Sequence, residues 1–197
     1  MDQPDGNSQR PVFYFDLGSP YSYLAAERIE ELLPVAALWQ PISLGALFKS
    51  NGRSSWSLTD KRGEGLAEVE RRARAYGLPD ICWPDPFPGH MLFALRVATY
   101  AGTVGKTRDF ALAAFCAAFA EGMDLGDRAV VLEVARIAGL DTDAAEVAAA
   151  DPAIKQELID ATELAAARNV IGVPTIFIGG KCFWGDDQLA AAAAAVG

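Results

Sequence analysis

Two serines stand at a position where a hydroxyl could do chemistry. Ser19-Pro20-Tyr21-Ser22 follows a short apolar run and opens an amphipathic one. Ser before Pro is the pattern of a helix start, with serine as N-cap and proline at the first helical position. A hydroxyl at such an end can cap the helix, or it can donate a hydrogen bond to an anionic atom brought there by a ligand. Asp186-Asp187 open the last helical stretch, and as caps they need no further role. Other reactive residue types are sparse. Cys82, Cys116 and Cys182 are odd in number and form no CxxC pair, so neither a disulfide framework nor a zinc knuckle is implied. They read as small buried apolar side chains. His90 is the single histidine; a His-rich metal site is excluded, a Ser-His-Asp triad is poorly supported, and no metal is expected. His90 ends the proline-rich run Trp83-Pro84-Asp85-Pro86-Phe87-Pro88-Gly89, a rigid loop, and reads first as structural. Tyr21, Tyr23, Trp56, Trp83 and Trp184 read first as core packing and second as walls of an apolar pocket.

The elements that must position these residues follow from apolar periodicity. Residues 1–10 read as a disordered arm. Residues 12–15, Val-Phe-Tyr-Phe, suit a buried strand ending at Asp16-Leu17-Gly18. One helix is expected from Ser19-Pro20 to Pro34, with Tyr21, Ala25, Ile29, Leu32 and Leu33 on one face, and a second strand over residues 35–39. Helices are expected over residues 66–76, 91–101, 107–121, 128–138 and 152–169. The first of these alternates acids with arginines and reads as a solvated face. Residues 174–178 and 181–184 flank Gly179-Gly180 as a β-hairpin, and a last helix runs from Gly185-Asp186 to Val196. Neither end of the chain makes a complete sheet alone. Joined, they give a four-stranded α/β layer of thioredoxin-like type, built from residues 11–45 and 171–197, with an all-helical insertion over 46–170.

Composition narrows the partners. The chain has 197 residues, with 17 Lys+Arg against 26 Asp+Glu and a net charge of −9. That balance argues against nucleic-acid binding. No run approaches the roughly 18 apolar residues of a membrane span, and the first residues, MDQPDGNSQRP, lack the apolar core of a signal peptide. A cytoplasmic protein is expected, with neither nucleic acid nor membrane as partner.

In a thioredoxin-like domain the redox CxxC occupies the start of the first helix; here both cysteine positions are serine. The stretch Phe13-Tyr14-Phe15-Asp16-Leu17-Gly18-Ser19-Pro20-Tyr21-Ser22-Tyr23-Leu24-Ala25 closely resembles the opening of 2-hydroxychromene-2-carboxylate isomerases and kappa-class glutathione transferases, members of the DsbA-like thioredoxin superfamily. Ile171-Gly172-Val173-Pro174-Thr175-Ile176-Phe177 and Phe183-Trp184-Gly185-Asp186-Asp187-Gln188-Leu189 resemble two further motifs, in the family's order. The resemblance implies that Ser19, with Pro20 and Tyr21 beside it, holds and ionises the thiol of glutathione. It implies that Val173-Pro174 is a cis-proline turn whose valine backbone pairs with the tripeptide as an added strand. It places Asp187 opposite the γ-glutamyl ammonium. Asp186 departs from the serine or asparagine usual in the family and puts a second negative charge near the γ-glutamyl carboxylate. Matching glycines in Phe48-Lys49-Ser50-Asn51-Gly52-Arg53 and Lys61-Arg62-Gly63 puts Arg53 and Arg62 at family positions that hold ligand carboxylates, as an amide and a lysine.

The implied activity is a glutathione-dependent isomerisation of the hydroxychromene-carboxylate type, in the breakdown of aromatic compounds. The partners are glutathione or a similar small thiol, a small aromatic carboxylate, and a second copy in a homodimer. Two other readings stand beside it: a kappa-like glutathione transferase or peroxidase, and a thiol- or peptide-binding module without catalysis. A CxxC disulfide oxidoreductase is disfavoured by Ser19 and Ser22.

Overall fold

Four short strands drawn from both ends of the chain close into one mixed sheet. The structure is a computed structural model and describes residues 10–50 and 52–196, so most of the expected N-terminal arm lies outside the described residues. Strands β1 (Val12–Phe15), β2 (Leu38–Pro41), β3 (Thr175–Ile178) and β4 (Lys181–Trp184) lie in the order β2-β1-β3-β4. β1 is central and runs parallel to β2 and antiparallel to β3, with Phe13 opposite Trp39 on one side and Ile176 on the other. The strand alternates its faces. Phe13 and Phe15 enter the main core, whereas Tyr14 enters a smaller cluster with Ile42, Leu47, Ala165, Val170 and Val173. At the β3–β4 turn, Gly179 and Gly180 have φ of 56° and 77°, the left-handed pair that a two-residue primed turn demands.

The helices are α1 (Pro20–Ala26), α2 (Ile29–Leu32), α3 (Leu44–Ser50), α4 (Arg62–Ala75), α5 (Leu92–Thr103), α6 (Thr107–Phe115), α7 (Arg128–Ile137), α8 (Thr142–Ala150), α9 (Pro152–Ala167) and α10 (Leu189–Ala194). Short 3₁₀ turns lie at Trp56–Leu58 and Asp186–Gln188, and α6 runs on into a π-helical turn, Cys116–Ala120. The order of strands and inserted helices is the one expected, with four local differences. The first helix breaks after Ala26, because Arg28 turns away to lie 3.5 Å over the Tyr76 ring and donate to the Asp186 carbonyl. The second strand starts three residues later than expected.

Two helices are additional. α3 is capped both locally and from a distance: Ser43 Oγ accepts from Ala46 N at 3.3 Å, and the first N–H, on Leu44, donates to Asp16 Oδ2 at 2.7 Å, a partner that no local pattern reveals. α8 is almost all small residues and has little apolar periodicity, but Asp141 caps it by accepting from Ala144 N. The cysteines also differ from expectation. Cys82 and Cys116 are exposed and Cys182 is half-buried. The Cys82 backbone is tied to the Phe119 carbonyl while its side chain faces out. Among the described residues no helix is long and apolar enough to cross a membrane.

Candidate active site

The turn after β1 sets Ser19 in place. Asp16, 6% exposed, accepts from Gly18 N at 2.8 Å and from Leu44 N at 2.7 Å, and its carbonyl accepts from Ser19 N. Burial pushes the Asp16 carboxyl above its ordinary range, with the two backbone hydrogen bonds acting against the shift. One side chain therefore holds both the start of α1 and the start of α3. Gly18 leaves no room for more: a Cβ there would come within 2.8 Å of Met91 Cγ. Ser19 is 4% exposed, and its Oγ accepts from Ser22 N at 3.2 Å. This is an N-cap bond, and it uses an oxygen lone pair but not the hydroxyl proton, so capping and donating are compatible. Ser22 Oγ is fully buried, without a partner among the described residues, and lines neither hollow beside Ser19.

Two hollows meet at Ser19. The smaller, about 370 Å³, is walled by Tyr21, Trp56, Arg72, Val173, Pro174, Trp184 and Asp187. The larger, about 700 Å³, runs the other way past Pro20, Lys49, Arg53, Phe87, His90 and Met91. Ser19, Leu44, Phe48, Ser55 and Trp56 line both. Trp56 lies edge-on to Tyr21 at 6.2 Å and also touches Phe87, whose ring packs on Trp83 and Phe119. Tyr23 is 2% exposed and belongs to the core, where burial first, then nearby Glu27, pushes its phenol up to about 12.

Charge is concentrated at the far end of the smaller hollow. Arg72 Nη1 lies 2.7 Å from Asp186 Oδ1 and 3.8 Å from Asp187 Oδ2, while its Nε donates to Glu68. Burial opposes the Arg72 charge, but the Glu68 hydrogen bond and the charges of Asp186 and Asp187 outweigh it, and the net shift is upward. Hydrogen bonds from Arg71 and Arg72 hold the Glu68 carboxyl down to about 2. Asp186 does not face a ligand as a bare charge, contrary to expectation. It is 1% exposed, and Arg72 and Tyr76 donate to its two oxygens, at 2.7 and 2.8 Å. Its negative charge is spent in the wall. Asp187 is the accessible one, with half its side chain exposed. Gly185, at φ 122°, permits this: a Cβ there would sit 2.5 Å from Asp187 Oδ1.

The expected site residues divide accordingly. Ser19, Tyr21, Val173, Pro174, Asp186 and Asp187 surround the smaller hollow, and Pro20 and Arg53 the larger. The Val173–Pro174 bond is cis. Among the described residues the Val173 backbone makes no hydrogen bond, so a strand-like donor and acceptor are left for a ligand. Arg53 donates to the Ile171 carbonyl and lies 5.2 Å from the Trp184 ring. Arg62 lines neither hollow. Its Nη1 donates to the Phe87 carbonyl at 2.6 Å and reaches the Ser57 carbonyl, which braces the proline-rich loop from behind. The cation that does line the smaller hollow is Arg72, which the acid–arginine alternation of its helix presented as solvated. Trp83 is part of the loop packing, with Nε1 donating to Glu70, and His90 is exposed on the rim of the larger hollow.

This fold and this serine-for-cysteine site define a class. Residues 12–197 match the DSBA-like thioredoxin domain, and the chain belongs to that family. Within it, the chain is 30% identical over 183 residues to the 2-hydroxychromene-2-carboxylate isomerase of Sphingobium xenophagum, covering 90% of this chain and 92% of that one. It is 28% identical to the enzyme of the same name from Pseudomonas putida, over 90% and 89% of the two chains. A solved structure of a 2-hydroxychromene-2-carboxylate isomerase superposes with a TM-score of 0.85 at 26% identity, covering 94% of this chain and 93% of that one. These relatives support an isomerase.

Proposed function

We propose that the protein is a glutathione-dependent isomerase acting on a small conjugated aromatic carboxylate, of the 2-hydroxychromene-2-carboxylate type. The observation that carries this reading is the position of Ser19, the helix-capping hydroxyl among the residues shared by two differently built hollows. The smaller hollow fits a tripeptide thiol. It offers the unpaired Val173 backbone for an extended chain, Asp187 for an ammonium and Arg72 for a carboxylate at one end. The larger hollow fits an aromatic acid, with Phe87, Met91 and Leu95 in its walls and Lys49 and Arg53 as cations.

A thiol bound there supplies a nucleophile that adds reversibly to a conjugated C=C bond, allowing rotation about a single bond before the double bond re-forms. The chain's own part is to prepare and orient. Ser19 donates its hydroxyl proton toward the sulfur, which favours the thiolate over the thiol. The α1 N–H groups act in the same sense. Trp56 and Phe48, shared by both hollows, bring the two ligands to one reacting point. Lys49 and Arg53 hold the carboxylate so that the double bond faces Ser19.

The test is turnover of 2-hydroxychromene-2-carboxylate, followed by its change in absorbance with and without glutathione. Turnover only with the thiol is the expected result. Conjugation of a generic electrophile without isomerisation would instead assign a kappa-like transferase, and glutathione binding without either reaction a binding module.

A further inference from the structure

A third hollow, of about 460 Å³, lies on the far side of α3, between α5 and α9. It shares Ser43, Ala46 and Leu92 with the larger hollow but does not reach Ser19. Its walls include Leu92, Ile159 and Ala166, and Leu92 and Ile159 remain 53% and 37% exposed. Into it faces Arg96. This guanidinium donates from Nη1 to the Ala149 carbonyl at 3.3 Å, but its Nε is fully buried and has no partner among the described residues. Among the described residues Arg96 forms no ion pair, and neither does Lys155, the second cation in the wall. Glu163, the one acid in the wall among the described residues, is solvent-exposed and pairs with neither.

The part-buried Arg96 guanidinium has no anion, and its partner is the Ala149 carbonyl in the last turn of α8, which leaves most of its donors unused. Burying a charge is costly unless it is paired, and in a protein of net charge −9 acidic partners are abundant elsewhere. Lining a volume typical of small-molecule sites, two unpaired cations beside aliphatic walls suit one chemistry. The geometry points to a second ligand site, for an amphipathic organic acid that seats its carboxylate on Arg96 and Lys155 and its apolar ring on Leu92, Ile159 and Ala166. A bare inorganic anion would leave those walls unused. The inference stands apart from the reading of Ser19 and survives its failure.

The Ile159 methyl groups report on this hollow alone. Protein carrying ¹³C-labelled isoleucine methyls is titrated with 1-naphthoate, with neutral 1-naphthalenemethanol and with inorganic phosphate. The expected result is a saturable Ile159 shift with naphthoate, little with the alcohol or phosphate, and binding weakened roughly tenfold or more in Arg96→Gln. Arg96→Lys should retain part of the affinity, and the exposed Lys155→Gln should lose several-fold. An unmoved Ile159, an equal response to the alcohol or to phosphate, or an unchanged dissociation constant in folded Arg96→Gln overturns the proposal. Should Arg96→Gln unfold, an unchanged constant in Lys155→Gln overturns it. Titration with 2-hydroxychromene-2-carboxylate in parallel separates the enzyme's own substrate from other aromatic acids; tighter binding of either acid supports the site.

Discussion

Replacing Ser19 by alanine tests the thiolate reading most directly, because two separable losses follow from one oxygen atom. The first is structural. Ser22 N donates to Ser19 Oγ at 3.2 Å, and losing an N-cap of this kind destabilises by about 1 kcal/mol. The second acts on the ligand. A hydrogen bond to a charged sulfur contributes about 1.5–3 kcal/mol, and one pKa unit corresponds to about 1.36 kcal/mol. The bound thiol should therefore titrate about 1–2 units higher in Ser19→Ala than in the parent. With the variant's bound thiol titrating as a free cysteine does, at about 8.5, the thiolate fraction at pH 7 and the turnover that depends on it fall by about eightfold to 25-fold. Denaturant unfolding measures the first loss, and thiolate absorbance of bound glutathione against pH measures the second. A stability loss with unchanged thiol titration and unchanged turnover would show that Ser19 is a cap and nothing more, and the argument from the shared serine would fail.

Ser22→Ala is the matched control: it removes a buried hydroxyl that has no partner among the described residues, so urea unfolding should show no loss, or a gain of up to about 1 kcal/mol, with the thiol titration unmoved. Arg72→Ala strips the buried Asp186 of its ion pair and should destabilise by about 3–5 kcal/mol while weakening glutathione in calorimetry. Arg62→Ala, by contrast, should leave glutathione affinity within about twofold and raise KM for the second substrate, because it braces Phe87; weaker glutathione binding in that variant would return Arg62 to the thiol site. Glu68, whose folded pKa lies below its ordinary 4.5 at about 2, contributes stability that is complete above 4.5 and is lost as pH falls toward 2. Thermal unfolding of Glu68→Gln should accordingly show a shallower decline over that interval than the parent, and identical slopes would refute the assignment.

Much of this arrangement can be read from the residues because it is local. Val12–Phe15, the Ser-Pro helix start and the Gly179-Gly180 hairpin each carry their signal within a few positions. What stayed hidden is held by partners far apart in the chain. Asp16 caps α3 from 28 residues away. Arg72 meets Asp186 across 114 residues, so an arginine in a charged helical repeat looked solvated, and an aspartate beside a ligand motif looked unpaired. Arg62 was matched by its spacing to nearby glycines, but spacing says nothing of the Phe87 carbonyl that captures it. α8 stayed hidden for a different, local reason: its run of alanines lacks the apolar contrast that marks a buried face.

The central place of β1 governs the order in which the protein can be completed. Its antiparallel neighbour β3 comes late: Arg168, just before β3 and hydrogen-bonded to the Tyr14 hydroxyl, lies 154 residues further on. At a synthesis rate of about 5–20 residues per second, the ribosome leaves one edge of β1 without its partner for roughly 10–30 s, whereas helices form in about a microsecond. The emerging chain is thus a βαβ unit with an open strand edge, followed by helices that can form before the sheet is finished. Ser19 is made early, but Val173, Pro174 and Asp187 arrive only with the last strands. No ligand of the smaller hollow can draw the nascent chain toward its fold, and such a ligand stabilises only the finished domain.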